Sequence, residues 1–263
     1  MDTGLQEQLP KKELVLTFSQ KSVANFKHPE RNEDAVFQNG RDLAMVLDGL
    51  GRLAHGEKAS QVAKDFIADN LAGEETDVEV AKKHLVNVIT EASKTVKSDA
   101  EGGMTTIVVA KIVNTAEGKV AVIGNVGDSR AYLLHDGKLR LITKDDRPIT
   151  EEMEAVCENA TSAADLSEKE KAAFKKSRYI VLQCLGGDLW EVHLNQESID
   201  DGDKLVLTSD GIHDNLTFYE IEEIIKGNRD VAVTLVDKAH ARSAENHFRS
   251  KLDDISAVVI EVN

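Results

Sequence analysis

Five aspartates stand where apolar runs begin or stop. Asp34 precedes the short run 35–37, and Asp48 closes the run 43–47. Asp210 ends the run 204–208, Asp214 lies four residues further on, and Asp253 opens the run 255–262. Carboxylates, with a glycine carbonyl and water, suit hard divalent cations such as Mg²⁺ or Mn²⁺. Two of the five sit in the same setting, Asp48-Gly49 and Asp210-Gly211. A buried strand that ends on a carboxylate delivers it to the sheet's edge. The glycine lets the backbone turn sharply and approach whatever the carboxylate holds. One Asp-Gly pair reads as an ordinary turn; two of the same form suggest a shared oxygen-ligand site. Other chemistries lack their residues. The eight histidines show no His-Glu-x-x-His spacing, and the chain has neither a Gly-x-x-x-x-Gly-Lys loop nor a Gly-x-Ser-x-Gly elbow. Chemistry at these aspartates would be metal-assisted and not covalent.

The elements that must position them can be read in order. Residues 1–11 are polar and expected to be loose, and one domain is expected over 12–263. Strands are predicted at 13–19, 35–37 and 43–47, then amphipathic helices at 57–72 and 77–97. His84 falls beside the second helix's apolar stripe and reads as a satisfied boundary residue. A β-meander follows over 107–113, 119–123, 131–134 and 139–143, turning at His135-Asp136-Gly137. Within it, Asp128-Ser129-Arg130 reads as a catalytic triplet or a structural corner, and the favoured reading pairs Arg130 with a carboxylate. Residues 145–177 lose the β pattern and read as a charged, helical flap that selects substrate. Strands return at 178–185, 190–194 and 204–208, then helices at 217–226 and 230–244 and a last strand at 255–262. Strands in succession give antiparallel sheets, and two helix pairs would cover two of them. The expected fold is α+β: a four-layer α-β-β-α sandwich of two antiparallel sheets flanked by helix pairs.

Composition bounds the partners. Lys and Arg number 32 against 47 Asp and Glu, a formal net charge of 32 − 47 = −15. That balance argues against nucleic acid or an anionic membrane surface. Cys157 and Cys184, the only cysteines, form neither a disulfide framework nor a zinc pattern, which suits a reducing cytoplasm. The amino terminus has no apolar signal core, and no apolar run approaches the roughly 20 residues of a membrane span. A monomer is expected.

An ordered series of motifs now stands out: NEDA at 32–35, VLDGLG at 46–51, GEKAS at 56–60, GGMTT at 102–106, GNVGDSRAYL at 124–133, VLTSDGIHD at 206–214 and DDISAVVI at 253–260. In this order the chain resembles the metal-dependent protein serine/threonine phosphatases of type 2C, in their bacterial form. The resemblance implies the α-β-β-α fold and a phosphorylated protein as substrate. It implies that Asp48 bridges two Mg²⁺ or Mn²⁺ ions, with the Gly49 carbonyl as a further ligand. Asp34, Asp210 and Asp253 would complete the pair, and Glu33 would hold a metal-bound water. Asp214 matches a ligand of a third ion in bacterial members. Its partner would lie just before Gly102, with Asp99 the first choice and Glu101 the second. The implied mechanism is direct hydrolysis by a metal-bridging hydroxide, between ions roughly 3.5–4 Å apart.

The chain departs from the family's pattern in three places. Pro29 falls near the place of the usual phosphate-holding arginine, which leaves Arg31 as the candidate substitute. Leu50 replaces the histidine that many eukaryotic members carry after Asp-Gly, and His55 nearby reads as surface. Asp146 stands where histidine is usual. Two other readings are a phosphatase fold that has lost catalysis and binds a partner, and a two-metal nucleic-acid phosphodiesterase. The retained core aspartates oppose the first; the acidic charge and the motif order oppose the second.

Overall fold

The structure is a computed structural model that describes residues 14–50, 55–227 and 229–263. The expected loose segment 1–11 lies outside those residues. In chain order the elements are β1 (Leu16–Val23), β2 (Ala35–Gln38), β3 (Leu43–Leu47), β4 (Gly49–Leu50), α1 (His55–Asn70) and α2 (Val78–Asp99). Then come β5 (Met104–Thr105), β6 (Ile107–Asn114), β7 (Lys119–Val126), β8 (Arg130–His135), β9 (Lys138–Leu141), α3 (Glu151–Glu158) and α4 (Glu168–Ser177). The chain closes with β10 (His193–Ile199), β11 (Lys204–Thr208), α5 (Asp210–Asn215), α6 (Phe218–Gly227), α7 (Val231–Ser243) and β12 (Ile255–Val262).

Two five-stranded sheets form, in the orders β1-β12-β11-β8-β9 and β10-β7-β6-β3-β2. Every pairing within them is antiparallel. Successive strand side chains face opposite ways, so each central strand feeds two cores. In β3, Leu43, Met45 and Leu47 pack with α1 and α2, while Ala44 and Val46 face the other sheet. In β12, Ile255, Ala257 and Val259 pack under α6 and α7, while Val258, Ile260 and Val262 face inward. Both faces being covered explains why these strands are continuous apolar runs in the sequence. The helices supply matching stripes. Ala81, Leu85, Val88, Ile89, Ala92 and Val96 of α2 are buried, and the Asp77 side chain caps its first turn at Val80 N, 2.9 Å away. This is the expected four-layer sandwich.

Some elements differ from the expectations. Residues 178–185 form no strand; only Leu185 bridges Thr105. The segment's amides bond scattered backbone carbonyls instead of a neighbouring strand, Leu182 N to Asp146 O at 2.8 Å and Cys184 N to Asp188 O at 3.0 Å. Gln183 Nε2 donates to Asp146 at 2.8 Å, and Gln183 Oε1 accepts from the backbone of Trp190 and Glu191 at 3.2 Å each. The strand expected at 190–194 instead begins at His193 and runs to Ile199. Asp210, read as the end of a strand, also opens the short helix α5. His84 is satisfied, with Nδ1 2.6 Å from Glu75.

Candidate active site

Strand register brings the aspartates together. Ala35 pairs with Leu47, so Asp34 and Asp48 flank one end of the β2–β3 ladder. Thr208 pairs with Ala257 and Ser209 N donates to Ser256 O, so Asp210 and Asp253 flank the same end of β11–β12. A bond between sheets joins the two pairs: Ser209 Oγ donates to Asp34 Oδ2 at 2.8 Å. Asp48 is fixed through its backbone. Its carbonyl accepts from Thr106 N and Thr105 Oγ1 at 2.9 Å each, and its N–H donates to Thr106 Oγ1. Gly49 N then donates to Glu33 O at 3.1 Å, tying the two acidic segments. A Cβ on Gly49 would collide with the carbonyl oxygens of Gly56 and Glu33, so only glycine permits this approach.

The result is a pocket of about 550 Å³ lined by Glu33, Asp48, Asp128, Asp210 and Asp253, with Gly49 at its wall. Asp34 is buried behind them. Burial pushes the Asp34 carboxyl well up, and neighbouring Asp254 adds to it. Burial also raises Asp48, assisted by Asp34, Asp210 and Asp253. Asp128 is pushed up to about 8 by burial and then by Asp210. Asp210 is raised to about 7, again chiefly by burial, although Lys251 opposes the shift. Buried carboxylates that resist ionising together are the electrostatic setting that a divalent cation relieves. Three buried oxygens here, Glu33 Oε1, Asp34 Oδ1 and Asp210 Oδ1, have no hydrogen-bond partner. Hard acidic donors, unpartnered and converging beside a free carbonyl edge, fit Mg²⁺ or Mn²⁺.

These shifts set a pH dependence. Without a cation, the folded chain keeps protons on Asp128 up to about 8 and on Asp210 up to about 7, whereas an ordinary aspartate loses them near 3.8. The folded state then binds more protons than the unfolded one across that window, so the metal-free stability due to these groups falls as pH rises through it. Divalent ions displace the protons, so the gain in Tm from Mn²⁺ grows between about pH 6 and about pH 8. Calorimetry in EDTA and in Mn²⁺ checks this; an equal gain at both ends would contradict it.

Not every expected residue joins the pocket. Asp99 is exposed at the end of α2 and bonds Ser98 Oγ at 2.6 Å. Glu101, also exposed, pairs with Lys58 at 2.6 Å. The additional buried carboxylate in the pocket is Asp128, from the turn after β7, which the sequence reading treated as a structural corner. Arg31 reaches Glu33 at 3.4 Å and does not line the pocket. Asp214, one turn beyond Asp210 on α5, faces cations: Lys251 at 2.8 Å and Arg147 and Arg178 at 3.4 Å each. Burial would raise its carboxyl, but Lys251, Arg178 and Arg147 hold it well below the usual range. Asp254 is structural, accepting from Glu33 N at 2.6 Å and Asn25 N at 2.8 Å. Asp146 is likewise occupied, by His193 and Gly127 N at 2.8 Å each. A larger cleft of about 660 Å³ lies between β9 and α3, but its carboxylates are paired with Arg130, Arg147 and His193. Away from both, His135, Asp200 and Asp203 cluster at a turn in which Asp203 already accepts from His135 Nδ1 and Asp200 N.

The family model for protein phosphatase 2C matches residues 24–255, a span containing every aspartate of the pocket. The chain belongs to the protein phosphatase 2C family. The serine/threonine phosphatase stp of Listeria monocytogenes is 31% identical over 247 residues, covering 89% of this chain and 91% of that protein. The serine/threonine protein phosphatase PstP of Mycobacterium tuberculosis is 31% identical over 217 residues, covering 81% of this chain and 39% of that protein. Among solved structures, the catalytic domain of PstP in complex with two manganese ions superposes with a TM-score of 0.73 at 25% identity, covering 95% of this chain and 99% of that one. The Streptococcus agalactiae serine/threonine phosphatase gives a TM-score of 0.75 at 22% identity, a likeness of fold. The chain is therefore a protein serine/threonine phosphatase of a metal-dependent family. In this phosphatase, no helix among the described residues is long and apolar enough to cross a membrane.

The flap of this phosphatase is bound to its core by buried charge. Arg130 of β8 is 1% exposed and meets Asp145 at 2.9 Å, Glu154 at 2.6 Å and Glu158 at 2.7 Å. The expected carboxylate partner of Arg130 is thus three partners. Arg147 spans from Asp145 and Glu154 to Asp214, and Arg178 lines the pocket beside Tyr179 and Leu182. Arg147 of the flap lies 4.0 Å from Asp128, a carboxylate that lines the pocket.

Proposed function

We propose that this phosphatase hydrolyses phosphoserine and phosphothreonine in proteins at the acidic pocket, with two divalent ions, Mg²⁺ or Mn²⁺. One observation carries the reading: Asp34, Asp48, Asp210 and Asp253, far apart in sequence, converge as buried or half-buried carboxylates, and two of them keep an unpartnered oxygen, Asp34 Oδ1 and Asp210 Oδ1. Bound ions would polarise the phosphoryl group and lower the pKa of water near neutrality. Asp48, with the Gly49 carbonyl, would serve both ions, and Asp34, Asp210 and Asp253 would complete their shells. Glu33 is placed to orient water: its backbone is fixed by Asp254 and Ser60, while Oε1 is buried without a hydrogen-bond partner. Burial raises its carboxyl, although Arg31 opposes the shift.

Direct attack by water is the step this reading assigns. The pocket's one thiol, Cys184, is pushed up to about 11 by burial and lies 3.5 Å from Met104 sulfur. A protonated thiol is a poor nucleophile. The described lining residues include no histidine, so protonation of the leaving alcohol would fall to water or another residue. The substrate is a solvent-exposed phosphorylated segment, for which Tyr179 and Leu182 offer apolar rims at 72% and 45% exposure.

Purified protein is expected to dephosphorylate a phosphothreonine peptide with Mn²⁺ and to lose that activity in EDTA. Folded protein that binds Mn²⁺ yet turns over neither peptide nor a small phosphate ester would favour the non-catalytic scaffold.

A further inference from the structure

Lys251 is a cation built into the acidic site. It lies on the loop before β12, two residues ahead of Asp253. Asn215 at the end of α5 clasps its backbone: Oδ1 accepts from Lys251 N and Nδ2 donates to Lys251 O, each at 3.0 Å. The side chain is 8% exposed and crosses back to the pocket. There Nζ meets Asp210 Oδ2 at 2.5 Å, Asp214 Oδ2 at 2.8 Å and Asp253 Oδ2 at 2.8 Å. The Tyr179 ring lies over the ammonium, 5.4 Å from its centroid.

Three carboxylates from two segments, α5 and the loop before β12, around one compact charge form a cation site that the chain fills itself. The arrangement divides the oxygens. Lys251 takes Asp210 Oδ2 and leaves Asp210 Oδ1 unpartnered, as is Asp34 Oδ1. Ions on the Asp34–Asp48 side therefore keep free ligands. The Asp214 side is already held by cations, with Lys251 2.8 Å from Asp214 Oδ2 and Arg147 and Arg178 3.4 Å from its oxygens. A divalent ion placed there would meet three positive charges across a buried carboxylate, at low local dielectric. We infer that the Lys251 ammonium occupies the place of a third metal ion, so that this phosphatase holds two ions and not three. The inference rests on the two-ion reading above.

The test counts Mn²⁺ by isothermal titration and by elemental analysis after gel filtration. Wild type is expected to bind two ions per chain, and Lys251→Met three. The added ion is expected to disappear again in Lys251→Met combined with Asp214→Asn. Lys251→Arg keeps the charge and is expected to stay at two. If Lys251→Met folds only with metal, it is purified in Mn²⁺ and its ions counted directly. Thermal unfolding supplies a second readout: Lys251→Met is expected to lower Tm in EDTA by several degrees more than in Mn²⁺. A count of two in Lys251→Met, with wild-type affinity, overturns the inference, as does a count of three in wild type. A wild-type count of none or one sinks the two-ion reading itself, and this inference with it.

Discussion

Asp48→Asn is expected to lower kcat/KM on a phosphothreonine peptide by more than about 100-fold in saturating Mn²⁺. The carboxylate is central to the pocket, with Asp34, Asp210 and Asp253 all close enough to raise its pKa. A ligand serving two ions contributes several kcal/mol of charge stabilisation, and about 3 kcal/mol is already more than a hundredfold in rate. The fold itself is expected to survive. Asp48 is anchored through its backbone, by Thr105 and Thr106, and not through its carboxylate. Removing one of several crowded charges should leave the metal-free Tm unchanged or raise it. Activity lost with stability kept would mark a catalytic ligand. Turnover within about threefold of wild type would show that the pocket is not where the chemistry happens.

Arg130→Met is expected to have the opposite profile, a stability loss of about 3–5 kcal/mol. Arg130 is wholly buried and neutralises Asp145, Glu154 and Glu158 at once. Arg147 still reaches Asp145 and Glu154 in the variant, but Glu158 is left facing them without a cation partner among the described residues. Removing one partner of a buried charge network costs far more than the network's net value, because the remaining charges stay desolvated. The midpoint of urea unfolding measures this. A loss below about 1 kcal/mol would mean that α3 can swing its glutamates into solvent, and that the flap is not held by charge.

The sequence disclosed the frame of the site and hid its lining. Strand-end aspartates were legible because a fully covered strand is an apolar run, and its end is marked by the first charge, as at Leu47-Asp48. Register then did the rest: pairing Ala35 with Leu47 and Thr208 with Ala257 leaves the four aspartates no other place to go. Asp128 was not legible, because a carboxylate in a Gly-Asp-Ser turn looks the same whether it points to water or into a pocket. Its burial depends on the turn packing against Thr106, whose hydroxyl meets Ser129 at 2.7 Å. Asp99 failed for the converse reason. Counting back from Gly102 gives a position along the chain but no direction, and the end of α2 points it outward. The segment after α4 carried a strand's composition, yet its amides go to scattered loop carbonyls, Leu182 N to Asp146 O and Cys184 N to Asp188 O. Lys251 had no sequence signal, since its role exists only once α5 and the loop before β12 meet through Asn215.

The most direct test of the account is anomalous scattering at the manganese edge from crystals grown with Mn²⁺. The account predicts two peaks in the acidic pocket, roughly 3.5–4 Å apart, both within ligand distance of the Asp48 carboxylate. A pocket without peaks, or peaks confined to His135, Asp200 and Asp203, would contradict it.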